Sequence, residues 1–365
     1  MARAERRTIG LLTGGGDCPG LNAVIRAVVK TAVNEYGLDV IGCRDGYYGL
    51  VTGKFFRLRW DDVSGILARG GTILGTSNSH DPFHWAEKKG GRLVHRDHSA
   101  KAVANYRRAK LSGLIIVGGD GTMTSAGKLS ALGLGVVGIP KTIDNDLAGT
   151  DRTFGFDTAV QTASDGIDRL RDTAQSHHRV MVVEVMGRYA GWLALASGVA
   201  GGADVILIPE IPYDLDKICE YLGSRSRRGK RFSIVVVAEG AKPRGGKITV
   251  ARTVETSPDP VRLGGVGQVL AARIAEKSRL ETRVTVLGHL QRGGTPLASD
   301  RVLCTRFGVK AAELAATGLF GQMVALRGGD LISVPLKQVA GKLSLVPTDH
   351  AMIAAARAIG TSFGD

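Results

Sequence analysis

A chain of 365 residues, 44% hydrophobic and with 51 glycines, holds enough apolar mass for a large core, two domains and many tight strand-to-helix turns, as in an α/β protein. No run of about 18 apolar residues occurs, so no spanning helix is expected, and the basic start with its short apolar stretch does not read as a signal peptide. A net charge of +14 calls for an anionic partner, nucleic acid or small phosphorylated ligands; aromatic residues are only 5% and no nucleic-acid-binding signature occurs, yet composition alone leaves the two level.

In chain order, "TIGLLT" (Thr8 to Thr13) predicts a buried strand. "GGGDCPG" follows, then a helix whose Val24, Val28 and Ala32, with Ile25, Val29 and Val33, recur at helical spacing. The scattered Cys18, Cys43, Cys219 and Cys304 lack zinc spacing and read as reduced thiols of a cytoplasmic protein. "LSGLIIVGGDGT" repeats the strand–glycine–helix design around Asp120, with Met123, Ala126, Leu129 and Leu132 on one helical face. "LGVVGIP" predicts a third strand. A long helix follows through Ala159, Ala163, Ile167, Leu170 and Ala174, and then the strands of "RVMVVEVMG", "ADVILIPE" and "FSIVVVAEG". A dense basic cluster, Ser224 to Arg231, precedes the last of these. Strands separated by helices imply a parallel sheet with ligands beyond the carboxyl ends of its strands.

The loops at Gly14–Gly16 and Gly118–Gly121 stand at such ends, where glycine admits a close ligand and helix N-terminal amides favour phosphate. Read alone, each is equally a tight turn, and neither fits the dinucleotide or P-loop pattern. "GGDGT" resembles the nucleotide loops of NAD kinases and lipid kinases as well, and its Asp120 is a candidate Mg²⁺ ligand on a polyphosphate. "VGIPKTIDND" ends the third strand. In extended chain its Asp144 and Asp146 face one side together, one to accept a proton and the other to order metal-bound water; the plainer alternative is that they begin a turn.

"GGDGT", "PKTIDND", "VVEVMGRYAGWLA", "VAEG" and "TRVTVLGHLQRGG" occur in the order and spacing of the 6-phosphofructokinases, from about Thr8 to beyond Arg301. The combination of the second, third and fifth motifs sets the chain apart from NAD and lipid kinases. The resemblance implies the phosphofructokinase fold, α/β with two domains of parallel-rich sheets flanked by helices. A phosphoryl-donor domain would take residues 1–155 and 291–341, and a sugar-phosphate domain 156–290 and 342–365. It also implies transfer of the γ-phosphoryl group of ATP to the 1-hydroxyl of fructose 6-phosphate. Asp144 would be the general base, with Thr142 and Arg188 at the reacting group and Asp120 holding Mg²⁺. Gly16, Tyr47, Asn78, Gly119, Gly121, Thr122 and Lys141 would line the donor site. Asp146 would flank the transferring phosphoryl group together with Thr142. Met186, Gly187 and Arg188 would line the sugar pocket with Glu239 on its hydroxyls, and Arg179, Arg283, His289 and Arg292 would clamp the 6-phosphate. In the family, the arginines matching Arg179 and Arg283 reach a neighbouring subunit's sugar site, which implies a homotetramer or dimer.

Asn78 departs from the family, standing where many members place a charge-stabilising arginine; Lys141 or Arg188 could cover that role, or the chain is a catalytically weak regulatory paralogue. Gly121 matches ATP users, because an aspartate there would repel the nucleotide, whereas Lys141 matches pyrophosphate users. The glycine decides for ATP, with pyrophosphate as the alternative donor. Arg26, Lys30, Arg171, Asp204, Arg228 and Lys230 fall at or near family effector positions, with Trp60 replacing an arginine, so an anionic allosteric effector is expected. Sedoheptulose 7-phosphate, one carbon longer, is a further possible acceptor. The segment from Ala241 to Gly265 reads as an enlarged loop.

Overall fold

The apolar runs form the interior strands of two sheets. The computed structural model describes residues 6–90, 92–256 and 260–365; residues 1–5 of the expected donor domain and 257–259 of the enlarged loop lie outside the described residues. The chain begins with β1 (Thr8–Thr13), α1 (Leu21–Asn34), β2 (Asp39–Cys43), α2 (Tyr47–Thr52) and β3 (Phe55–Leu58). A hairpin of β4 (Trp85–Lys89) and β5 (Arg92–Arg96) precedes α3 (Ser99–Arg108), β6 (Leu111–Gly118), α4 (Asp120–Ala131) and β7 (Val136–Pro140). Next come α5 (Phe156–His177), β8 (Val180–Val185), α6 (Trp192–Ala200), β9 (Val205–Leu207), α7 (Leu215–Arg227) and β10 (Ser233–Ala238). The enlarged loop carries a second hairpin, β11 (Val250–Thr253) and β12 (Val261–Leu263), and leads into α8 (Val266–Ser278) and β13 (Thr282–Val286). The chain closes with α9 (Ala298–Thr317), β14 (Gln322–Arg327), β15 (Asp330–Pro335), α10 (Leu336–Val339) and α11 (Ala351–Ala358).

The larger sheet has the order β15-β14-β7-β6-β1-β2-β3, parallel from β14 to β2 with an antiparallel strand at each edge. The smaller has the order β13-β8-β10-β9 and is parallel throughout. Parallel strands are covered on both faces, which is why they read as unbroken apolar runs. Along β6, Ile115 and Val117 pack with residues of α1 and α9, while Leu114 and Ile116 turn to α4. In the smaller sheet Val183 and Val236 face α5 and α6, and Val182 and Val237 face α7 and α8. Among the described residues, no helix is long and apolar enough to cross a membrane.

Two local expectations are corrected. Helix α4 ends at Ala131, so Leu132 caps it and is 46% exposed instead of joining the packed face. The Asp144–Asp146 segment is not extended: it turns at Asn145, whose φ of 52° lies in the left-handed region that asparagine tolerates. The turn is held from within, because Asn145 Oδ1 accepts the Thr153 N–H at 2.9 Å and the Thr153 hydroxyl donates to the Thr142 carbonyl at 2.7 Å.

Candidate active site

One half of the site is assembled at the carboxyl ends of β1, β6 and β7. Gly14 N–H donates to the Val117 carbonyl at 2.8 Å, and Lys141 N–H to the Gly118 carbonyl at 3.0 Å, so the three loops are laced together. The loop around Asn78 is pinned over the first of them: Gly15 N–H donates to Ser77 O at 3.3 Å, and the Thr76 hydroxyl to Gly15 O at 2.5 Å. Asn78 itself is exposed. Gly119 precedes α4, placing Asp120 and Gly121 in its first turn, where the helix dipole and free amides favour anions. A Cβ built on Gly121 meets nothing within 4 Å, so open space lies beside it. Tyr47 and Thr122 are buried, and the Tyr47 hydroxyl donates to the Thr122 carbonyl at 2.8 Å; Tyr47 therefore braces α4 from behind.

Lys141 is buried at the loop junction and donates through Nζ to the Gly16 carbonyl. Burial pushes its ammonium below the ordinary lysine value, against the nearby charge of Asp144. From the other side Arg292 donates to the Asp17 carbonyl at 3.2 Å. A Cβ at Gly16 would stand 2.7 Å from Arg292 Nη1, so a larger residue there would push the guanidinium aside.

The other half comes from the smaller sheet. After β8, Met186, Gly187 and Arg188 form a turn with φ of 134° at Gly187 and 47° at Arg188, the latter a sparsely populated conformation for a side-chain-bearing residue. Two bonds hold it: Arg188 N–H donates to Glu239 Oε1 at 3.1 Å, and Met186 N–H to Gln291 Oε1 at 3.0 Å. The Arg188 charge acts on both Asp120 and Asp146, so the guanidinium lies near the Gly118–Gly121 loop and the Asp144–Asp146 turn alike.

Four carboxylates, Asp120, Asp144, Asp146 and Glu239, crowd this junction. Asp144 and Asp146 are 4% and 7% exposed, and the Thr142 hydroxyl lies 3.4 Å from Asp144 Oδ2 while accepting the Asp144 N–H at 3.1 Å. Burial, reinforced by the Asp144 charge, pushes Asp146 up to about 7. Burial and the same charge raise Glu239 to about 7. Asp120 is also raised, by burial, against a backbone N–H from Gly341 and the Arg188 charge. Asp120 Oδ1 and Asp144 Oδ1 are buried with no hydrogen-bond partner. Such orphan acceptors cost about 1–3 kcal/mol each, and they fit a cation at the first and a substrate hydroxyl at the second. No cluster of three or more His, Cys, Asp or Glu that could hold a metal occurs among the described residues.

Not every expected residue joins this group. Arg179 precedes β8 and Arg283 pairs with Met181 near its start, about 16 Å of strand from the Met186 turn. Both bond Glu281, at 2.8 and 2.6 Å. His289 is exposed on the turn before Arg292. Sequence reasoning missed Gln291, although it lies inside a quoted motif, and Arg262, on the β12 strand of the enlarged loop. Burial, then the repelling charge of Arg188, lowers Arg262; no local pattern marks that approach.

Strand ends of two parallel sheets meeting over buried carboxylates, an anion-favouring helix start and an arginine are the build of a phosphoryl-transfer enzyme. The phosphofructokinase family matches residues 8–315. The ATP-dependent 6-phosphofructokinase 2 of Clostridium perfringens is 52% identical over 361 residues, 98% of this chain and 99% of that protein. The pyrophosphate–fructose 6-phosphate 1-phosphotransferase of Amycolatopsis methanolica is 51% identical over 346 residues, 94% of this chain and 97% of that protein. The solved phosphofructokinase of Saccharomyces cerevisiae has a TM-score of 0.76 at 33% identity, covering 91% of this chain and 45% of the yeast chain. The chain belongs to the phosphofructokinase family.

Proposed function

We propose that this chain transfers the γ-phosphoryl group of ATP to the 1-hydroxyl of fructose 6-phosphate, giving fructose 1,6-bisphosphate and ADP as a step of glycolysis in the cytoplasm. The observation that carries this reading is the pair of unpartnered, buried oxygens, Asp120 Oδ1 on the donor side and Asp144 Oδ1 on the acceptor side. Asp144 orients the sugar hydroxyl and takes its proton as the O–P bond forms and the bond to ADP breaks. Thr142 holds Asp144 in place. Arg188, lying between the loops, offsets the charge spread over the transferring group, the part that Asn78 cannot play without a charge. Asp120 would hold Mg²⁺, which when bound neutralises charge on the donor phosphates. In this reading the elements around the larger sheet bind the donor and those around the smaller sheet bind the sugar.

ATP is favoured by the open space at Gly121. Pyrophosphate is the second reading, favoured by Lys141 and by the Amycolatopsis relative. Steady-state assays of fructose 6-phosphate with ATP and, separately, with pyrophosphate decide between them. Faster turnover with pyrophosphate would overturn the assignment of the donor, and no product with either would overturn the activity. An anionic effector belongs to the same proposal: Arg171 donates to the Gly201 carbonyl beside Asp204, and Arg225 pairs with Asp204 at 2.6 Å. On α1 the Lys30 ammonium sits 3.3 Å over the centroid of the Trp60 ring. Loss of any effect from nucleoside diphosphates and phosphoenolpyruvate on sugar affinity would count against it.

A further inference from the structure

Gln291 lies in the short turn Gly288–Arg292 and is 0% exposed, although the preceding Leu290 is 68% exposed. Its amide orientation is settled by chemistry: only the carbonyl oxygen can accept the Met186 N–H, 3.0 Å away. The Nε2 end is therefore a donor, and it is buried with no hydrogen-bond partner. The bond to Met186 accounts for the oxygen of the carboxamide, whereas a carboxylate would accept that bond equally well without stranding a donor, so neither packing nor the backbone bond accounts for the nitrogen. The next residue, Arg292, reaches the opposite way to the Asp17 carbonyl of the glycine loop. Consecutive side chains of one turn thus hold the Met186–Arg188 turn on one side and the Gly14–Asp17 loop on the other.

We infer that Gln291 is a specificity-determining residue for the sugar phosphate: Oε1 sets the position of the Met186 turn, and the unmated Nε2–H binds an oxygen of the bound sugar phosphate. This rests on the phosphofructokinase reading of the same site. The bond it makes to the backbone is present before substrate arrives; the second is completed by substrate.

The test is Gln291→Met, which removes both ends of the amide while keeping the volume. Calorimetric titration with fructose 6-phosphate and with ATP is compared with thermal unfolding of the ligand-free protein. Affinity for fructose 6-phosphate should fall about tenfold, the size of one buried hydrogen bond, while affinity for ATP changes by less than about twofold. Ligand-free Tm should change little, because the variant relieves one unmated donor, Nε2–H, while freeing another, the Met186 N–H. A lower Tm with unchanged sugar affinity is the signature of a purely structural residue and would overturn the inference. Should Gln291→Met fail to fold, Gln291→Glu carries the test: it keeps the acceptor for Met186 and loses the donor, and unchanged sugar affinity would again overturn it. If neither variant folds, Gln291 is a packing residue and the inference is lost. A parent protein that binds no fructose 6-phosphate overturns the functional reading itself; a parent that binds it while the variants bind equally well overturns only the role of Gln291.

Discussion

At the scale of single residues, the carboxylates at the sheet junction differ in what they are free to do. Asp144 has one oxygen near the Thr142 hydroxyl and the other without a partner, so Asp144→Asn keeps the shape and removes only the proton acceptor. The variant should lose at least about a hundredfold in kcat with little change in KM for either substrate. Near-parental kcat in a steady-state assay would remove Asp144 from the mechanism. Gly121→Asp places a carboxylate in space that is now open, next to Asp120. ATP would meet it as a like charge, and kcat/KM for ATP should fall by about two orders of magnitude, with any pyrophosphate activity better preserved. Glu239 tests electrostatics instead of chemistry. Its carboxyl is raised from 4.5 to about 7, so the native state holds a proton that the unfolded chain has already released. The stability this contributes is complete below the unfolded value and is lost as pH rises through about 7. Glu239→Gln should therefore gain in Tm relative to the parent on going from about pH 5 to about pH 8, in ligand-free protein. An offset that does not change with pH would contradict the raised carboxyl.

At the scale of elements, several helices begin at glycines, which have no side chain to cap them, and three of these are capped from a distance. The amides at the start of α5, α6 and α8 are met instead by carboxylates from elsewhere in the chain, two of them buried and that of Glu210 half-buried. Asp300, 0% exposed on α9, accepts from Gly155 N–H and Thr158 N–H at 2.8 Å each and from the Thr158 hydroxyl at 2.5 Å. Glu210 accepts the Gly191 N–H at 2.9 Å and the Val346 N–H at 2.9 Å, and Glu184 accepts from Gly265 at 3.0 Å and Gly267 at 2.7 Å. Each contact serves as cap and tether at once, joining a helix start to a distant strand, helix or loop. The α5 cap matters most for chemistry, because Thr153 and Gly155 continue directly from the Asp144 turn. Asp300→Ala should cost about 2–4 kcal/mol in urea unfolding, the loss of a buried acceptor together with stranded donors, and should lower kcat as well. Asp300→Asn, which keeps an acceptor, should recover part of both. Unchanged unfolding of the alanine variant would show that α5 needs no such cap.

At the scale of the whole molecule, one chain does not gather every residue that the family resemblance assigns to the sugar phosphate. Arg179 and Arg283 bond Glu281 at the far end of the smaller sheet, exposed or half-exposed, while Arg292 lies at the junction. If they serve a neighbouring subunit, Arg283→Ala should raise KM for fructose 6-phosphate despite its distance from Asp144 in its own chain. Refolding a mixture of Arg283→Ala and Asp144→Asn chains should then restore activity above the average of the two, since some sites would combine an intact base with an intact arginine. Activity no greater than that average would mean that each site is complete within one chain.

Much of the fold was legible in the sequence because its signals are local. Unbroken apolar runs marked β1, β6, β7, β8 and β10, glycines marked the turns at their carboxyl ends, and 3.6-residue spacing marked α1, α4 and α5. With the family motifs, these determined which loops carry Asp120, Asp144 and Arg188. Where the prediction slipped, at Leu132 and in the supposedly extended Asp144–Asp146 segment, a cap and a contact to Thr153 overrode the local pattern. The rest was decided only by tertiary structure. The seat of Gln291 against Met186, the capping of α5 by Asp300 and the approach of Arg262 to Arg188 join residues far apart in the chain, where no periodicity connects them. The raised carboxyls of Asp146 and Glu239 belong here too, because proton affinity is set by burial and by neighbouring charge, and both exist only once the two sheets have met.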